Sequence, residues 1–253
     1  MRPKQDTSWG SVAGWYDEYL ESGEDSYQAK VIAPNLLRIL ALKPQTRVLD
    51  NACGQGFFSR VFAEAGAHVV GADISRELIA LGKKHAPAIP FHVASAHALS
   101  FAKDASFDVV TIVLAIQNIE NMGEAFAEAK RVLVPGGRLV LVMNHPVMRI
   151  PKRSSWGWDA DTSTQYRRLD GYLSQSTVPI VMNPGKPGSE ATVSYHRSLQ
   201  DFVKALAKSG FAVTRLEEWI SHKKSEKGPR QIAEDCARKE FPMFMMLEAT
   251  LLR

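Results

Sequence analysis

The chain has 253 residues, of which 45% are hydrophobic and 23% charged, with 31 basic against 27 acidic side chains and a formal charge of +4. These values belong to a globular protein with enough chain for a substantial core, and they exclude disordered, collagenous and coiled-coil classes. The basic excess is scattered over short clusters, Lys152-Arg153, Arg167-Arg168 and residues 222–230. That distribution points away from a nucleic-acid partner, which concentrates its charge on one face. Cys53 and Cys236 form neither a disulfide framework nor metal-ligand spacing, so no metal is expected and a reducing compartment is. The first ten residues lack a signal-peptide core, and no apolar run approaches the ~20 residues of a membrane helix. A cytoplasmic protein with no membrane partner is expected; the sequence does not specify an oligomeric state.

In chain order, residues 10–40 read as one or two entry helices. Residues 46–145 alternate short apolar runs with amphipathic stretches. Strands are expected at 47–50, 68–73, 89–94, 107–114 and 138–143, with helices at 57–65, after the cap Ser75, and at 122–133. Pro135-Gly136-Gly137 stops the last of these. Strands and helices alternating at this spacing imply parallel strands with right-handed crossovers, a doubly wound three-layer α/β sandwich. The rhythm then breaks over 146–197, an insertion rich in Pro, Gly and Ser. Within it residues 178–182 and 191–195 read as a long-looped hairpin flanking 183–188. Residues 198–253 resume the core with a helix at 199–209, a strand at 211–219, a polar segment and a strand at 243–251. The whole reads as one domain.

The informative stretch is Val48-Leu49-Asp50-Asn51-Ala52-Cys53-Gly54-Gln55-Gly56, a buried strand running through a small-residue turn into a helix. Small residues let a ligand lie against the backbone. Asp73 closes the next strand, where a carboxylate can accept both hydroxyls of a ribose. Alone, the glycines indicate only a tight turn, and Asp73 would suit a helix cap; in register they indicate a nucleoside-cofactor site. Asp50 begins the turn where a dinucleotide fingerprint has glycine, and an acid there repels a pyrophosphate at the helix N-terminus. It suits a ligand carrying a sulfonium and an ammonium group.

These residues resemble the class I S-adenosylmethionine (SAM)-dependent methyltransferases, in particular the type 11 methyltransferase-domain group. The acid, two residues and Cys-Gly-x-Gly of its first motif fall on Asp50 and Cys53-Gly54-Gln55-Gly56. Its ribose acid falls on Asp73, followed by Ile74, and its Pro-Gly-Gly on residues 135–137; Val12-Ala13-Gly14-Trp15-Tyr16-Asp17 resembles its entry helix. Ala52 stands where glycine is usual, and Ser95, next to Ala96, where an acid meets adenine. The resemblance covers roughly residues 12–145. It implies a mostly parallel seven-stranded sheet with an antiparallel last strand. It also implies SAM as cofactor, S-adenosyl-L-homocysteine as product, and a cofactor site of Tyr16, Asp50, Ala52, Gly54, Gln55, Gly56, Asp73, Ile74, Ser95, Ala96, Leu114 and Gln117.

Methyl transfer from a sulfonium is an in-line displacement that alignment and water exclusion can drive, so a base is needed only if the acceptor must first lose a proton. His145, at the end of the fifth strand, reads either as that base or as a turn histidine held before Pro146. Gln117-Asn118 reads as acceptor contacts or as helix capping, and His196-Arg197 marks where the insertion rejoins the core. Trp156, Trp158, Tyr166 and Tyr172, with Arg167 and Arg168, read as an aromatic lid between the fifth strand and the last helix, or as a small packing core. Tyr16 and Tyr27 would complete the cover. A small organic acceptor is the leading expectation, with Tyr27, Asn118, Trp156, Tyr166, Arg167 and His196 as its contacts. Methylation of RNA, an NAD-dependent oxidoreductase and a non-catalytic SAM-binding protein are the alternatives.

Overall fold

The computed structural model describes residues 9–23, 25–182 and 191–252. The elements of the first half are α1 (Ala13–Glu21), α2 (Ala33–Leu40), β1 (Arg47–Asn51), α3 (Phe57–Glu64), β2 (His68–Asp73), α4 (Arg76–His85), β3 (Phe91–Val93), β4 (Phe107–Val113) and α5 (Met122–Val132). The second half comprises β5 (Leu133–Asn144), β6 (Ser154–Asp159), β7 (Thr164–Leu169), β8 (Ser176–Val181), β9 (Ala191–His196), α6 (Leu199–Lys208), β10 (Phe211–Trp219), α7 (Gln231–Glu240) and β11 (Phe244–Leu251). Seven strands form one sheet in the order β10-β11-β5-β4-β1-β2-β3. β11 runs antiparallel between β5 and β10, while β1, β2, β3, β4 and β5 are parallel where they pair. This is the expected doubly wound α/β fold.

The central strands are apolar on both faces because each face carries its own helical layer. Successive side chains point to opposite sides of a strand. Leu49, Val110, Leu139 and Leu141 therefore enter the core beneath α5 and α6, and Val48, Val109, Val140 and Val142 the core beneath α2 and α3. Helix starts are fixed by side chains accepting backbone N–H groups that lack a helical partner. The Ser75 hydroxyl accepts from Leu78 N at 3.1 Å, and Ser198 forms a reciprocal capping box with Asp201.

Three expectations change. β5 begins at Leu133, five residues before the expected Arg138, because Leu133 pairs with Phe107 ahead of an irregularity at Gly136, whose φ is 80°. The polar segment after β10 contains α7, which is polar overall and buries only Ala237. The insertion is two hairpins, β6–β7 and β8–β9. The second matches the expected strands, while its linker, residues 183–190, lies outside the described residues.

Candidate active site

In this sheet the strand order reverses between β1 and β4. Open α/β sheets bind ligands beyond the carboxyl ends of strands at such a point. A cleft of about 740 Å³ lies there, within the ~300–1,000 Å³ usual for small-molecule sites.

β1 delivers Asp50 to the cleft floor, where it is 1% exposed. The Ser59 hydroxyl donates to Oδ2 at 2.6 Å and the Thr111 hydroxyl to Oδ1 at 3.1 Å. Burial pushes this carboxyl up to about 6; the Asp73 charge adds to the rise and the two hydroxyls oppose it. At neutral pH the floor therefore carries a negative charge that apolar surroundings make receptive to a cation.

β2 delivers Asp73. The backbone N–H of Ser75 donates to its Oδ1 at 2.8 Å and that of Gly54 to its Oδ2 at 2.9 Å. The two donors fix the carboxylate plane and leave each oxygen a free lone pair for a ligand hydroxyl. Burial raises its pKa, and these backbone bonds oppose the rise.

Between the acids, Ala52, Gly54 and Gly56 take φ values of 60°, 58° and 82°, a left-handed backbone that glycine adopts freely and Ala52 at a cost of ~1–2 kcal/mol. The two glycines differ in duty. Gly54 lines the cleft, and an added Cβ would meet only Tyr16, at 3.7 Å. An added Cβ on Gly56 would lie 2.6 Å from the Phe91 ring, so Gly56 lets α3 pack against β3 and does not line the cleft.

Helix α1 forms one wall. It carries Tyr16, whose ring meets Trp9 edge-on at 5.2 Å. Burial pushes the Tyr16 phenol up to about 12, the charges of Asp73 and Asp50 reinforcing the rise, so it remains a hydrogen-bond donor. Two ties hold the helix down: Asp17 Oδ1 lies 2.8 Å from His85 Nε2, and Glu21 pairs with Arg60 and accepts from Gln55 Nε2 at 3.0 Å. Asp17, Glu21 and His85 place ligand atoms within 4.8 Å of one another, an arrangement these ion pairs account for.

Tyr16, Asp50, Ala52, Gly54, Asp73, Ile74, Ser95, Ala96, Leu114 and Asn118 thus come together around one cleft, as the sequence suggests. The other expected residues do not line it. Gln55 is buried but turns away from the cleft to Glu21 and Arg60, as part of the tie on α1. Gln117 turns back to donate to Leu114 O at 2.6 Å and faces a second, smaller cavity with His196. Tyr27 is drawn to Ser221, at 3.1 Å, and to the ring of Phe244.

Among the described residues, the aromatics of the insertion do not line the cleft. Trp156 packs on Phe241 and Trp158 lies under Arg230, so β6–β7 covers the region of α7; Tyr166 is exposed on the same hairpin, and Arg167 donates to Met148 O and stacks on Trp156. Strand β9 does reach the cleft wall: its Val193 carbonyl accepts from Asn118 Nδ2 at 2.9 Å. His145 is also placed elsewhere: its Nε2 lies 2.6 Å from Glu218, and its Nδ1 accepts from the backbone N–H of Val147 and Met148, both at 3.2 Å. With both ring nitrogens engaged, it serves as the turn histidine that closes β5.

Trp9, His97, Ile119 and Glu120 also line the cleft, beyond the residues expected from the sequence. For His97 and Glu120 a signal exists: each follows the carboxyl end of a strand, β3 or β4, where ligand-binding loops of this fold lie.

A methyltransferase-domain family model matches residues 49–141. A solved S-adenosylmethionine-dependent methyltransferase from Mesorhizobium loti superposes with a TM-score of 0.68 at 27% identity, covering 90% of this chain and 99% of that one. These similarities, together with the cleft they coincide with, support a class I SAM-dependent methyltransferase. It is also 36% identical over 139 residues to a demethylmenaquinone methyltransferase of Streptomyces avermitilis, covering 53% of this chain and 58% of that protein. A demethylmenaquinone methyltransferase of Renibacterium salmoninarum is 44% identical over 104 residues, covering 41% and 44% respectively. The chain thus spans about half the length of the curated relatives it matches.

S-adenosylmethionine is the cofactor of this family, and the donor set fits it. One buried carboxylate with two free lone pairs suits a ribose, a second anionic carboxylate suits a cationic amino-acid portion, and a turn of small residues leaves the backbone open between them.

Proposed function

We propose that this protein transfers the methyl group of S-adenosylmethionine to a small organic acceptor held in the same cleft. The observation that carries the reading is the convergence of Asp50, Gly54 and Asp73 on one cleft of about 740 Å³ at the strand-order reversal. That volume is well above the ~300 Å³ lower limit of small-molecule sites, which leaves room for an acceptor beside the cofactor. The named substrate of the curated relatives, demethylmenaquinone, is a small molecule and supports the class.

When bound, S-adenosylmethionine supplies an electrophilic methyl group on a sulfonium. The chain's own residues bind and orient. Asp73 accepts the ribose hydroxyls, and Ile74, exposed beside it, offers apolar surface to the adenine ring. Ser95 takes the place of the adenine-contacting acid, its hydroxyl 3.1 Å from the His97 ring. Asp50 balances the positive charge of the amino-acid portion. Tyr16 and Trp9 narrow the cleft and exclude water, which supports an in-line displacement more than any single proton transfer does. Where the acceptor must lose a proton, His97, Glu120 and Glu124 stand on the cleft wall to receive it.

The reading is tested by incubating the full chain with methyl-labelled S-adenosylmethionine and extracts of small metabolites, with an RNA pool alongside. Label in a low-molecular-weight product supports it. Label confined to RNA, or S-adenosylhomocysteine binding with no transfer to any pool, contradicts it.

A further inference from the structure

Beside the cleft, across the turn at Ile116–Asn118, lies a second cavity of about 40 Å³. It holds room for about three groups the size of a water oxygen, at ~10–15 Å³ each. Asn118 faces the large cleft and its neighbour Gln117 the small cavity, so one turn is the wall between them. Asn144, Arg149, Ser194, His196 and Arg197 supply the other polar walls.

Its charge balance is one-sided. Among the described residues no carboxylate lines the cavity, and neither Arg149 nor Arg197 has one within 4.0 Å. Arg197 is 9% exposed and donates to the carbonyls of Ile119 and Glu120. Arg149 has five N–H donors, and the protein acceptor it meets is Asn144 Oδ1, at 2.7 Å from Nη1. Burial pushes the Arg149 guanidinium down, and Arg167 adds a like charge nearby. Arg149 is half-buried, and a partly desolvated guanidinium without a counter-charge favours a partner that supplies one. An oxyanion does so with the planar, paired geometry that guanidinium favours.

We propose that this cavity is a binding site for an oxyanion, a carboxylate or phosphate group carried by the methyl acceptor. Arg149 is its principal ligand, and Arg197 is the fixed charge that also ties the dividing turn in place. The acceptor then spans the turn, its acidic group among the arginines and its methyl-receiving atom in the large cleft. Assigning the anion to the acceptor rests on the proposed methyltransferase activity, whereas the site itself does not.

Isothermal titration of the full chain at fixed ionic strength with inorganic phosphate, with benzoate, and separately with S-adenosylhomocysteine tests this. The wild type is expected to bind one of the two anions at one equivalent, with a matching rise in its melting temperature. Phosphate alone identifies a phosphate-bearing acceptor, and benzoate alone a carboxylate-bearing one. Arg149→Gln is expected to weaken the anion at least tenfold, and Arg149→Lys to weaken it less because the charge is kept and the fork lost. Both variants are expected to hold S-adenosylhomocysteine within twofold of wild type. Absence of binding and of any thermal shift with both anions in the wild type overturns the proposal without need of a variant. Equal anion affinity in Arg149→Gln overturns it too. Failure of the wild type to bind S-adenosylhomocysteine instead refutes the methyltransferase reading and leaves the anion result standing.

Discussion

Replacing Asp50 with asparagine separates what this carboxylate does for the ligand from what it costs the fold. Burial raises its pKa from 3.8 to about 6, roughly two units, and at ~1.36 kcal/mol per unit this is about 3 kcal/mol. Because the native pKa lies above the unfolded one, the native state binds the proton more tightly. The carboxylate therefore costs nothing below about pH 4; its cost grows as pH rises to about 6 and is constant above. Asparagine keeps one acceptor, and the rotatable Ser59 and Thr111 hydroxyls can receive its amide. Ligand-free Asp50→Asn is thus expected to converge on wild type as pH falls below 4, to exceed it by ~1 kcal/mol near pH 4.5 and by up to ~3 kcal/mol at pH 7.5 in urea unfolding. Its affinity for S-adenosylhomocysteine, whose ammonium loses its counter-charge, is expected to fall at least ~10-fold at pH 7.5. Wild-type affinity should decline as pH falls through 6, and variant affinity should stay flat. Parallel stability curves for the two proteins, or undiminished affinity in the variant, would refute the reasoning.

Asp73→Ala removes the acceptor of two backbone N–H groups and of the ligand ribose. It is expected to lose ~1–3 kcal/mol in unfolding and to show no measurable S-adenosylhomocysteine binding by calorimetry. Gly56→Ala forces a Cβ towards Phe91 at φ 82°, so thermal unfolding is expected to show a loss of ~1–3 kcal/mol while the folded fraction still binds the ligand. His145→Ala is expected to leave turnover within twofold, because the ring closes a turn outside the cleft, and to lower stability by ~1–3 kcal/mol through the unsatisfied N–H groups. A loss of turnover without a loss of stability would restore it as a base.

The strands were legible where burial on both faces makes near-continuous apolar runs, as at Phe107–Val113, and where glycine and a terminal acid mark a ligand turn. The β6–β7 hairpin was not, because its strands are at best half-buried and the side chains β7 turns inward are Gln165, Arg167 and Leu169, which make no apolar alternation. α7 escaped for a related reason: its ten residues are polar overall and bury one alanine, so no apolar run marks the helix. In the site, type and spacing located the acids and Gly54. They did not fix side-chain direction at a turn. Gln55 and Gln117 both flank the cleft in sequence and both point away from it, one to an ion pair and one to a backbone carbonyl. The aromatic insertion misled because aromatic residues suit a lid and a packing core equally, and contact with α7 decides between them.

The most direct test is calorimetric titration of the purified, folded chain with S-adenosylhomocysteine and, separately, with a nicotinamide dinucleotide. One equivalent of S-adenosylhomocysteine is expected to bind, with no heat from the dinucleotide. Saturable dinucleotide uptake with no heat from S-adenosylhomocysteine would contradict the account at its base.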